Sequence, residues 1–339
     1  MTEPVLRLGV ISTALIGTEK VIPGIAKSRR CRVDAIGSRD LETARAVARD
    51  EGIERAYGSY DELLADPGID AVYNPLPNHL HTEWNLKAIA AGKHVLAEKP
   101  LAMNSSEAEE VRSAAEAAGV KVVEAFMYRT HPTWLEVKRL VDEGAIGPLR
   151  HIQTFFGYRN VDGANIRNIV EAGGGALYDV GCYAINSARW LFGTEPEVVG
   201  ATIDRHHSGD ASFGTDTVTA GLLRFPNGTA TFACSTVMEH GQWCHIMGEE
   251  GRIELWIPFN IPLERPTWIT VTQGGAPPEE PAVRRIEFRA VDEYATQADA
   301  FAAHVLDGAP PHVTLADSVA NMRVIDAVFA AAAAAAAAR

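Results

Sequence analysis

The sequence predicts a doubly wound α/β domain over residues 1–125, followed by an α+β domain over 126–339 with a large, open, mainly antiparallel sheet. Three observations lead to this fold class. The length of 339 residues suggests about two domains. The first domain alternates short apolar runs with helical patterns, which is typical of right-handed βαβ units and a parallel sheet. Beyond it, strand-like runs follow one another with short turns, as in an antiparallel sheet.

In the first domain, a segment with helical periodicity follows each of the early apolar runs. The runs are short and rich in β-branched residues, as in VLRLGVIS and HVLA, and therefore predict strands. Gly92 and Gly119 stand where a left-handed residue ends a helix. The predicted strands are 5–12, 32–37, 70–74, 94–97 and 121–125. The predicted helices are 18–27, 41–50, 79–91 and 105–118.

The second domain is predicted to begin with a helix at 133–143 and to end with helices at 293–306 and 315–330. A Gly-rich loop and a helix occupy 173–192. Turns such as Pro226-Asn227-Gly228 separate the strands, which favours hairpins. The predicted strands are 149–158, 197–204, 217–225, 229–237, 252–257 and 267–272.

Composition excludes several classes of partner. The chain has 31 Lys and Arg against 44 Asp and Glu, for a net charge of -13. Such an acidic chain is a poor candidate for binding nucleic acid or an anionic membrane. Positive charge for an anionic ligand must therefore be local.

The cysteines and the termini favour a cytoplasmic protein. The four cysteines form no CxxC pair, so neither a metal site nor a disulfide framework is predicted, and buried thiols in a reducing compartment are expected. Residues 1–4 do not resemble a signal peptide, and Arg7 interrupts the apolar run that follows. The apolar stretch 327–338 is too short and too weakly hydrophobic to span a bilayer.

The turn after the first predicted strand fits a degenerate dinucleotide fingerprint. The segment GVISTALIG starts at Gly9 and places Ser12, Ala14 and Gly17 at the three glycine positions. Small residues there let backbone N–H groups approach a pyrophosphate at a helix N-terminus. An ordinary βα turn is the alternative. The candidate cofactor-binding residues of this turn are Ser12, Thr13, Ala14, Leu15 and Ile16.

The end of the second predicted strand indicates which dinucleotide binds. An acidic residue at this place would bind the ribose hydroxyls of NAD, whereas this chain has Ser38 and Arg39. A hydroxyl and a fixed guanidinium suit a 2′-phosphate, which favours NADP. The alternative is a surface arginine that pairs with Asp40 or Glu42.

Two further segments follow predicted strands. NPLPNHLH, at 74–81, forms a rigid loop in which His79 and His81 are poor metal ligands, since no third partner is evident; a helix start or one cofactor contact is preferred. Glu98-Lys99-Pro100 follows the strand HVLA. A lysine there can donate to a substrate hydroxyl and lower the pKa of a neighbouring group. A solvated charge pair is the alternative.

The segment GGGALYDVGCY, at 173–183, is the second candidate for chemistry. Its glycines would let the loop pass close to a ligand, and Asp179 and Tyr183 fall at i and i+4 on one helical face. A carboxylate and a phenol on one face can hold a polyol and move a proton. A helix start with a buried tyrosine is the alternative.

Together these motifs resemble the Gfo/Idh/MocA oxidoreductases, the family of glucose–fructose oxidoreductase and inositol dehydrogenase. The order and spacing of GVISTALIG, GSRD, YNPLPNHLH, AEKP, EAFMYRTHP and GGGALYDVGCY carry the resemblance, which spans nearly the whole chain. Tyr183 and Ser38-Arg39 are similar to the NADP-linked xylose dehydrogenase, dihydrodiol dehydrogenase and glucose–fructose oxidoreductase branch. An exported protein with an N-terminal arm is typical of the last of these, and neither feature is predicted here.

The resemblance implies an NADP-binding Rossmann domain and a hydride transfer to or from a sugar or diol carbinol carbon, without a metal. Tyr183 would take the hydroxyl proton, Lys99 would hold the same oxygen, and Asp179 would bind another hydroxyl or orient Lys99. A homodimer or homotetramer through the open sheet face is expected. Substrate choice would depend on loops near 156–167. The residues that the resemblance places around NADP are Leu76, Asn78, His81, Glu98 and Arg129.

Two other functions remain open at this stage. A non-catalytic NADP-binding regulator is disfavoured by the presence of both Lys99 and Tyr183. A redox-assisted glycosidase of the same fold is disfavoured by Ser38-Arg39, because a bound and recycled NAD needs no site for a 2′-phosphate.

Overall fold

A computed structural model describes residues 4–209, 211–274 and 281–338. Residues 1–3, which contribute to the expectation about the N-terminus, lie outside the described residues. The strands are β1 Leu6–Ile11, β2 Cys31–Gly37, β3 Arg55–Tyr57, β4 Ala71–Asn74, β5 His94–Ala97, β6 Val122–Glu124, β7 Leu149–Arg159, β8 Glu197–Asp204, β9 His206–His207, β10 Ala211–Ser212, β11 Val218–Phe225, β12 Gly228–Ser235, β13 Val237–Gly248, β14 Gly251–Leu255, β15 Thr267–Gln273 and β16 Ala282–Phe288. The α-helices are α1 Ile22–Ile25, α2 Leu41–Glu51, α3 Tyr60–Ala65, α4 His81–Ala90, α5 Ser105–Ala118, α6 Pro132–Asp142, α7 Cys182–Phe192, α8 Glu293–Asp307 and α9 Leu315–Ala337.

The chain divides into two compact units. The first takes the described residues up to Thr130 together with Asp292–Val319, and the second takes His131–Val291 and the described residues from Ala320. The sequence predicts a second domain from residue 126 onward, whereas residues 126–130 and Asp292–Val319, which include α8, belong to the first unit. Local periodicity predicts a helix there but carries no information about the sheet on which it packs.

The first unit is built on a six-stranded parallel sheet in the order β3-β2-β1-β4-β5-β6. The predicted doubly wound α/β class is thereby confirmed. Apolar side chains on both faces of the sheet are fully buried, such as Leu8, Val10, Ile36 and Val72, as expected for a parallel sheet covered by helices. The carboxyl ends of β1, β4 and β5 lie side by side and carry the loops that contain the fingerprint turn, NPLPNHLH and Lys99.

Helix boundaries follow local chemistry. Asp40 accepts a hydrogen bond from the Glu42 N–H at 3.1 Å and so caps α2. Gly92 and Gly119 have φ values of 73° and 67°, which confirms that left-handed glycines follow α4 and α5. The helix predicted at 18–27 is present up to Ile25, and it consists of a π-helical turn, Gly17–Val21, that continues directly into the short helix α1.

Helix α8 packs directly on the first unit. Lys27 Nζ lies 2.8 Å from Asp292 Oδ2, and the Cys31 thiol donates to the Ala298 carbonyl at 3.1 Å. A Cβ added to Gly24 would lie 2.4 Å from the Tyr294 Cβ, so only glycine allows this approach. Burial raises the pKa of the Cys31 thiol to about 12, so it is protonated and inert. All four cysteines are buried thiols.

The second unit is built on an eight-stranded sheet in the order β16-β15-β14-β13-β7-β12-β11-β8. Its described neighbours pair antiparallel except β7 and β12, which are parallel. The predicted large, mainly antiparallel sheet is thereby confirmed. Side chains alternate along the strands, so Ile152, Phe156 and Ile246 are buried on one face while Trp243 and His245 lie on the other.

Helix α9 is the one candidate membrane span among the described residues. Its length and its apolar composition would be sufficient to cross a membrane. Val319, Met322, Ile325 and Val328 on this helix are nonetheless buried within the protein. A core helix of a soluble protein gives the same pattern, so the helix is weak evidence for a membrane.

Candidate active site

The turn after β1 has the backbone conformation that a dinucleotide fingerprint requires. Ser12 has φ 85°, a left-handed conformation that is rare outside glycine. Its N–H donates to the Gly37 carbonyl at 2.9 Å, and its hydroxyl accepts from the Ala14 N–H at 3.3 Å. Thr13, Ala14 and Ile16 are half-buried and Leu15 is exposed. The turn therefore leads the chain tightly from β1 into the helical segment that begins with Gly17–Val21, where a fingerprint places its backbone beside an anionic ligand.

Arg39 is exposed at the end of β2, and both of its acidic neighbours have other partners. Asp40 caps α2 and accepts from the Thr43 hydroxyl at 2.7 Å, while Glu42 pairs with Arg45 at 2.7 Å. Burial raises the pKa of Tyr60, and the Arg39 guanidinium beside the phenol opposes that rise. Arg39 has no carboxylate partner in the described part of the chain, so the surface ion pair considered from the sequence does not form.

The loop after β4 is held in place by hydrogen bonds of two buried side chains, those of Asn74 and His81. Asn74 is fully buried and donates to Asn85 Oδ1 at 2.8 Å. His81, expected to contact the cofactor, is 1% exposed, and its two ring nitrogens lie 2.7 Å from the carbonyls of Leu76 and Pro100. Burial lowers the pKa of His81 to about 4 despite these carbonyls, so the ring is neutral and donates through one nitrogen. The His81 ring therefore braces two loops.

Glu98 and Lys99 follow β5 on the loop that His81 braces. The Tyr73 hydroxyl donates to Glu98 Oε1 at 2.7 Å, and the Lys99 N–H donates to Glu98 Oε2 at 3.2 Å. This fixes the backbone from which the half-buried Lys99 side chain extends.

Arg129 and Asn78 differ in how much surface they present. Asn78 is half-buried in a 3-10 turn, Asn78–Leu80, whereas Arg129 is 8% exposed, with Nη1 3.5 Å from Asp317 Oδ2. Burial, with a smaller contribution from the Arg129 charge, lowers the pKa of His312 to about 3. Arg129 thus lies in the interior of the first unit beside α9.

In the second unit, Asp179 and Tyr183 lie on consecutive parts of one helix. Asp179 is in the π-helical turn Leu177–Gly181, and Tyr183 is in the first turn of α7. The Tyr183 ring packs against Phe259 and Phe156, with ring centroids 5.1 and 5.9 Å away, and the residue is 5% exposed. Local widening of a helix in this way is frequent at functional sites.

Asp179 is the centre of a polar cluster whose other members were not predicted. The Tyr158 hydroxyl donates to Asp179 Oδ2 at 2.5 Å, and Arg167 Nε donates to the same atom at 3.0 Å. Burial, and then the Asp179 charge, raise the pKa of Tyr158, so this phenol stays protonated. The Asp179 charge also raises the pKa of Arg167. Tyr158 is therefore a donor, which leaves Tyr183 as the candidate proton acceptor.

The sequence gives only weak indications that Tyr158 and Arg167 belong to the site. Tyr158 keeps the inward alternation of Ile152 and Phe156 on β7, which alone predicts a core residue. Arg167 ends the loop expected to govern substrate choice.

The glycine-rich loop is close to protein atoms, not only to a prospective ligand. A Cβ on Gly174 would lie 2.4 Å from the Arg167 carbonyl oxygen. One on Gly175 would lie 2.0 Å from Asp216 Oδ1. Internal packing therefore requires glycine at both positions, and the approach of this loop to a ligand stays a prediction. No group of three metal-ligating side chains occurs in the described ranges.

Comparison with known proteins identifies relatives over the whole chain. Residues 6–126 match the oxidoreductase family with an NAD-binding Rossmann fold, and residues 134–254 match the GFO/IDH/MocA C-terminal domain. The chain is 38% identical to a D-xylose 1-dehydrogenase (NADP(+)) of Haloferax volcanii, covering 96% of each chain.

Solved structures show the same fold. A 3-ketoreductase from Actinomadura kijaniata in complex with NADP and TDP-benzene is 31% identical, with a TM-score of 0.87 over 96% of this chain and 98% of that one. Lys→Ala and Tyr→Phe variants of that protein have also been solved. An aldose-aldose oxidoreductase from Caulobacter crescentus complexed with glycerol is 27% identical, with a TM-score of 0.89 over 98% of both chains.

Proposed function

Because this chain belongs to the Gfo/Idh/MocA family of oxidoreductases, we propose that it transfers a hydride between NADP and a carbinol or carbonyl carbon of a sugar. An aldose such as D-xylose is the leading substrate, and a cyclic diol is the alternative. It is an NAD(P)-dependent dehydrogenase or reductase. The observation that carries the proposal is the polar cluster of Asp179, Tyr158 and Arg167 on the helix and loop next to Tyr183. Such a cluster suits a polyhydroxylated substrate.

The residues of the first unit fit NADP. The left-handed Ser12 gives the Ser12–Ile16 turn the tight path by which a dinucleotide fingerprint brings its backbone close to a pyrophosphate. Ser38 and the exposed Arg39 would bind the 2′-phosphate. When bound, the nicotinamide supplies the hydride acceptor or donor. We assign Leu76, Asn78 and Glu98 to the same site by their loops. His81 supports the site from the interior by bracing two of its loops, and we assign Arg129 to the same site.

Tyr183 and Lys99 would carry the proton chemistry. In oxidation, Tyr183 Oη takes the proton of the reacting hydroxyl, and the Lys99 ammonium stabilises the phenolate that makes this possible. In reduction, the same phenol returns the proton. Support comes from the ketoreductase of A. kijaniata, in which the substituted lysine and tyrosine are separated by the same number of residues as Lys99 and Tyr183.

Asp179 would bind a neighbouring substrate hydroxyl or orient Lys99. Its Oδ2 accepts from two protein donors, Tyr158 and Arg167, so the carboxylate is held in one orientation. A carboxylate accepts well from hydroxyl groups, and a sugar has several of them near the reacting carbon.

A substrate screen tests the proposal. Pentoses, hexoses, inositols and cyclic diols are mixed with the protein and either NADP or NAD, and the absorbance of the reduced nicotinamide is followed. We expect D-xylose or another aldose to give the largest rate, with NADP. Binding of NADP without turnover of any substrate would favour the regulator. Release of nitrophenol from glycosides without net cofactor change would favour the glycosidase.

We also propose that the protein is a homodimer or homotetramer in the cytoplasm. The outer face of the second sheet carries a row of aromatic rings, Phe155, Trp243, His245 and Trp256, with successive centroids 6.1, 4.9 and 5.9 Å apart. Trp256 is 56% exposed. A second copy of the chain would cover this row. Light scattering of the wild type and of Trp256→Glu tests it, since the charge should shift the population to monomer.

A further inference from the structure

The helix that carries Asp179 and Tyr183 begins without a cap of its own. Residues Gly173–Gly175 precede it, and Ala176 at the N-cap position makes no side-chain hydrogen bond. The first N–H groups of a helix have no partner within the helix and need one from elsewhere when the helix is buried. Every residue of α7 except Trp190 and Phe192 is buried.

Asp216, on the loop before β11, supplies the missing cap from a distant part of the chain. Its Oδ2 accepts from the Leu177 N–H at 2.7 Å, and its carbonyl accepts from the Ala176 N–H at 2.8 Å. The Thr219 hydroxyl also donates to Oδ2, at 2.7 Å, and fixes the carboxylate. Asp216 is 3% exposed. A carboxylate at a helix N-terminus is also favoured by the helix dipole.

Gly175 makes room for this carboxylate. Its φ is 126°, a conformation that disfavours side chains, and a Cβ there would lie 2.0 Å from Asp216 Oδ1. The conformation of the glycine loop and the position of the capping carboxylate therefore depend on each other. A side chain at residue 175 would displace the carboxylate from the helix.

The helix is capped by a buried carboxylate, although burying a neutral side chain there would cost less free energy. Burial raises the pKa of Asp216 to about 6, although Thr219 and Leu177 donate to it. The charged and titratable groups that act on it are the Arg205 guanidinium and the buried Cys234 thiol. Carrying a charge in such a place does not favour stability. Stability alone therefore does not account for this residue.

We propose that Asp216 is a positioning residue, which fixes the start of the helix and thereby the placement of Asp179 and Tyr183 for reaction. This inference rests on the proposed function for the roles of those two residues. The helix start can shift as a unit because its first turns have no local cap. A shift of about 1 Å in a reacting group can lower the rate by about 100-fold.

The test compares Asp216→Ala, Asp216→Asn and Thr219→Val with the control Asp204→Asn. Asp204 is an exposed carboxylate of the same unit, with a side chain 58% exposed. We expect Asp216→Ala to lower kcat by between about tenfold and 100-fold while the KM for NADP stays within about twofold of the wild type. Asp216→Asn should recover most of kcat, because the amide oxygen can still accept from Leu177. The control should match the wild type.

Hydrogen exchange separates this inference from the proposed function. In Asp216→Ala, amides of residues 174–185 should exchange faster while those of β1 and β4 do not change. If Asp216→Ala does not fold, Thr219→Val, which removes one donor to the carboxylate, should show the same changes in smaller degree. Unchanged exchange at 174–185 would overturn the cap. Faster exchange with an unchanged kcat would overturn the positioning role. No turnover of any substrate by the wild type would instead count against the proposed function, and the exchange data would still decide the cap.

Discussion

Replacing Arg39 by alanine should abolish the preference for NADP over NAD. The guanidinium is exposed at the end of β2, and Asp40 and Glu42 are engaged with other groups. A hydrogen bond to a charged group contributes about 1.5–3 kcal/mol, so the Kd of NADP should rise by about 10- to 150-fold. NAD lacks the 2′-phosphate, and its Kd should change by less than about threefold.

The assay is a titration of both dinucleotides into both proteins, followed by tryptophan fluorescence at fixed ionic strength. Salt must be fixed because the net charge of -13 repels a phosphate at long range and screening changes that repulsion. Arg45→Ala is the matched control, since Arg45 belongs to α2, which follows the same strand, but is paired with Glu42. Neither Kd should change in this control.

Two results would refute the reasoning about Arg39. Equal losses for NADP and NAD would mean that the side chain supports the fold or the adenine. A wild-type preference for NAD would mean that Ser38 and Arg39 do not form a phosphate site at all.

Three further predictions concern the proton chemistry and the buried acid. Lys99→Met should lower kcat by about 100-fold or more with little change in the Kd of NADPH, because the lost charge acts on the reacting oxygen; near-normal kcat would remove Lys99 from the mechanism. Tyr183→Phe should slow oxidation by about 10²- to 10⁴-fold and flatten the rise of kcat/KM towards alkaline pH; an unchanged profile would point to Asp179 as the proton acceptor. Asp216 has a pKa of about 6 in the folded protein against about 3.9 unfolded, so its contribution to stability is present below pH 4 and is lost as the pH rises through 6. The unfolding free energy of the wild type, relative to Asp216→Asn, should therefore fall by about 2 kcal/mol between pH 4 and pH 7 in urea titrations, and a constant difference would contradict the raised pKa.

The sequence predicts the strands that are continuous apolar runs. It does not predict a strand whose alternation is interrupted, or a pairing between strands that lie far apart in the sequence. Strands β1, β2, β4 and β5 are short and apolar because both of their faces are covered. Strand β13 was missed because its first half, with Glu239, His240 and Gly241, hides the alternation that Trp243 and Ile246 follow. The parallel pairing of β7 with β12 is set by a long-range contact, whereas hairpin turns favour antiparallel neighbours.

The candidate site divides in the same way. Lys99 and Arg39 could be predicted as site residues because each is a charged residue directly after an apolar strand, a pattern that can be recognised without knowing which residues contact it. Tyr158 looked like a core residue by its alternation, and only the approach of Asp179 gives it a polar role. The capping role of Asp216 could not be predicted, because its hydrogen-bond partner, the N–H of Leu177 at the helix start, lies far away in the sequence. His81 was expected at the cofactor surface, since a histidine in a loop gives no sign of whether it is buried.

The return of α8 to the first unit means that residues 131–291 interrupt that unit, and the chain then crosses back to the second unit at Ala320. A ribosome adds about 5–20 residues per second, so the first sheet waits roughly 10–35 s after Thr130 is made before α8 can cover it. A gene fragment that stops at residue 130 would lack Asp292, Ala298 and their contacts with Lys27 and Cys31. The Thr130 and Thr296 hydroxyls lie 2.9 Å apart. A short Gly-Ser linker between Thr130 and Asp292, in a chain that ends at Val319, should therefore yield the first unit alone, with the contacts of Asp292 and Ala298 kept.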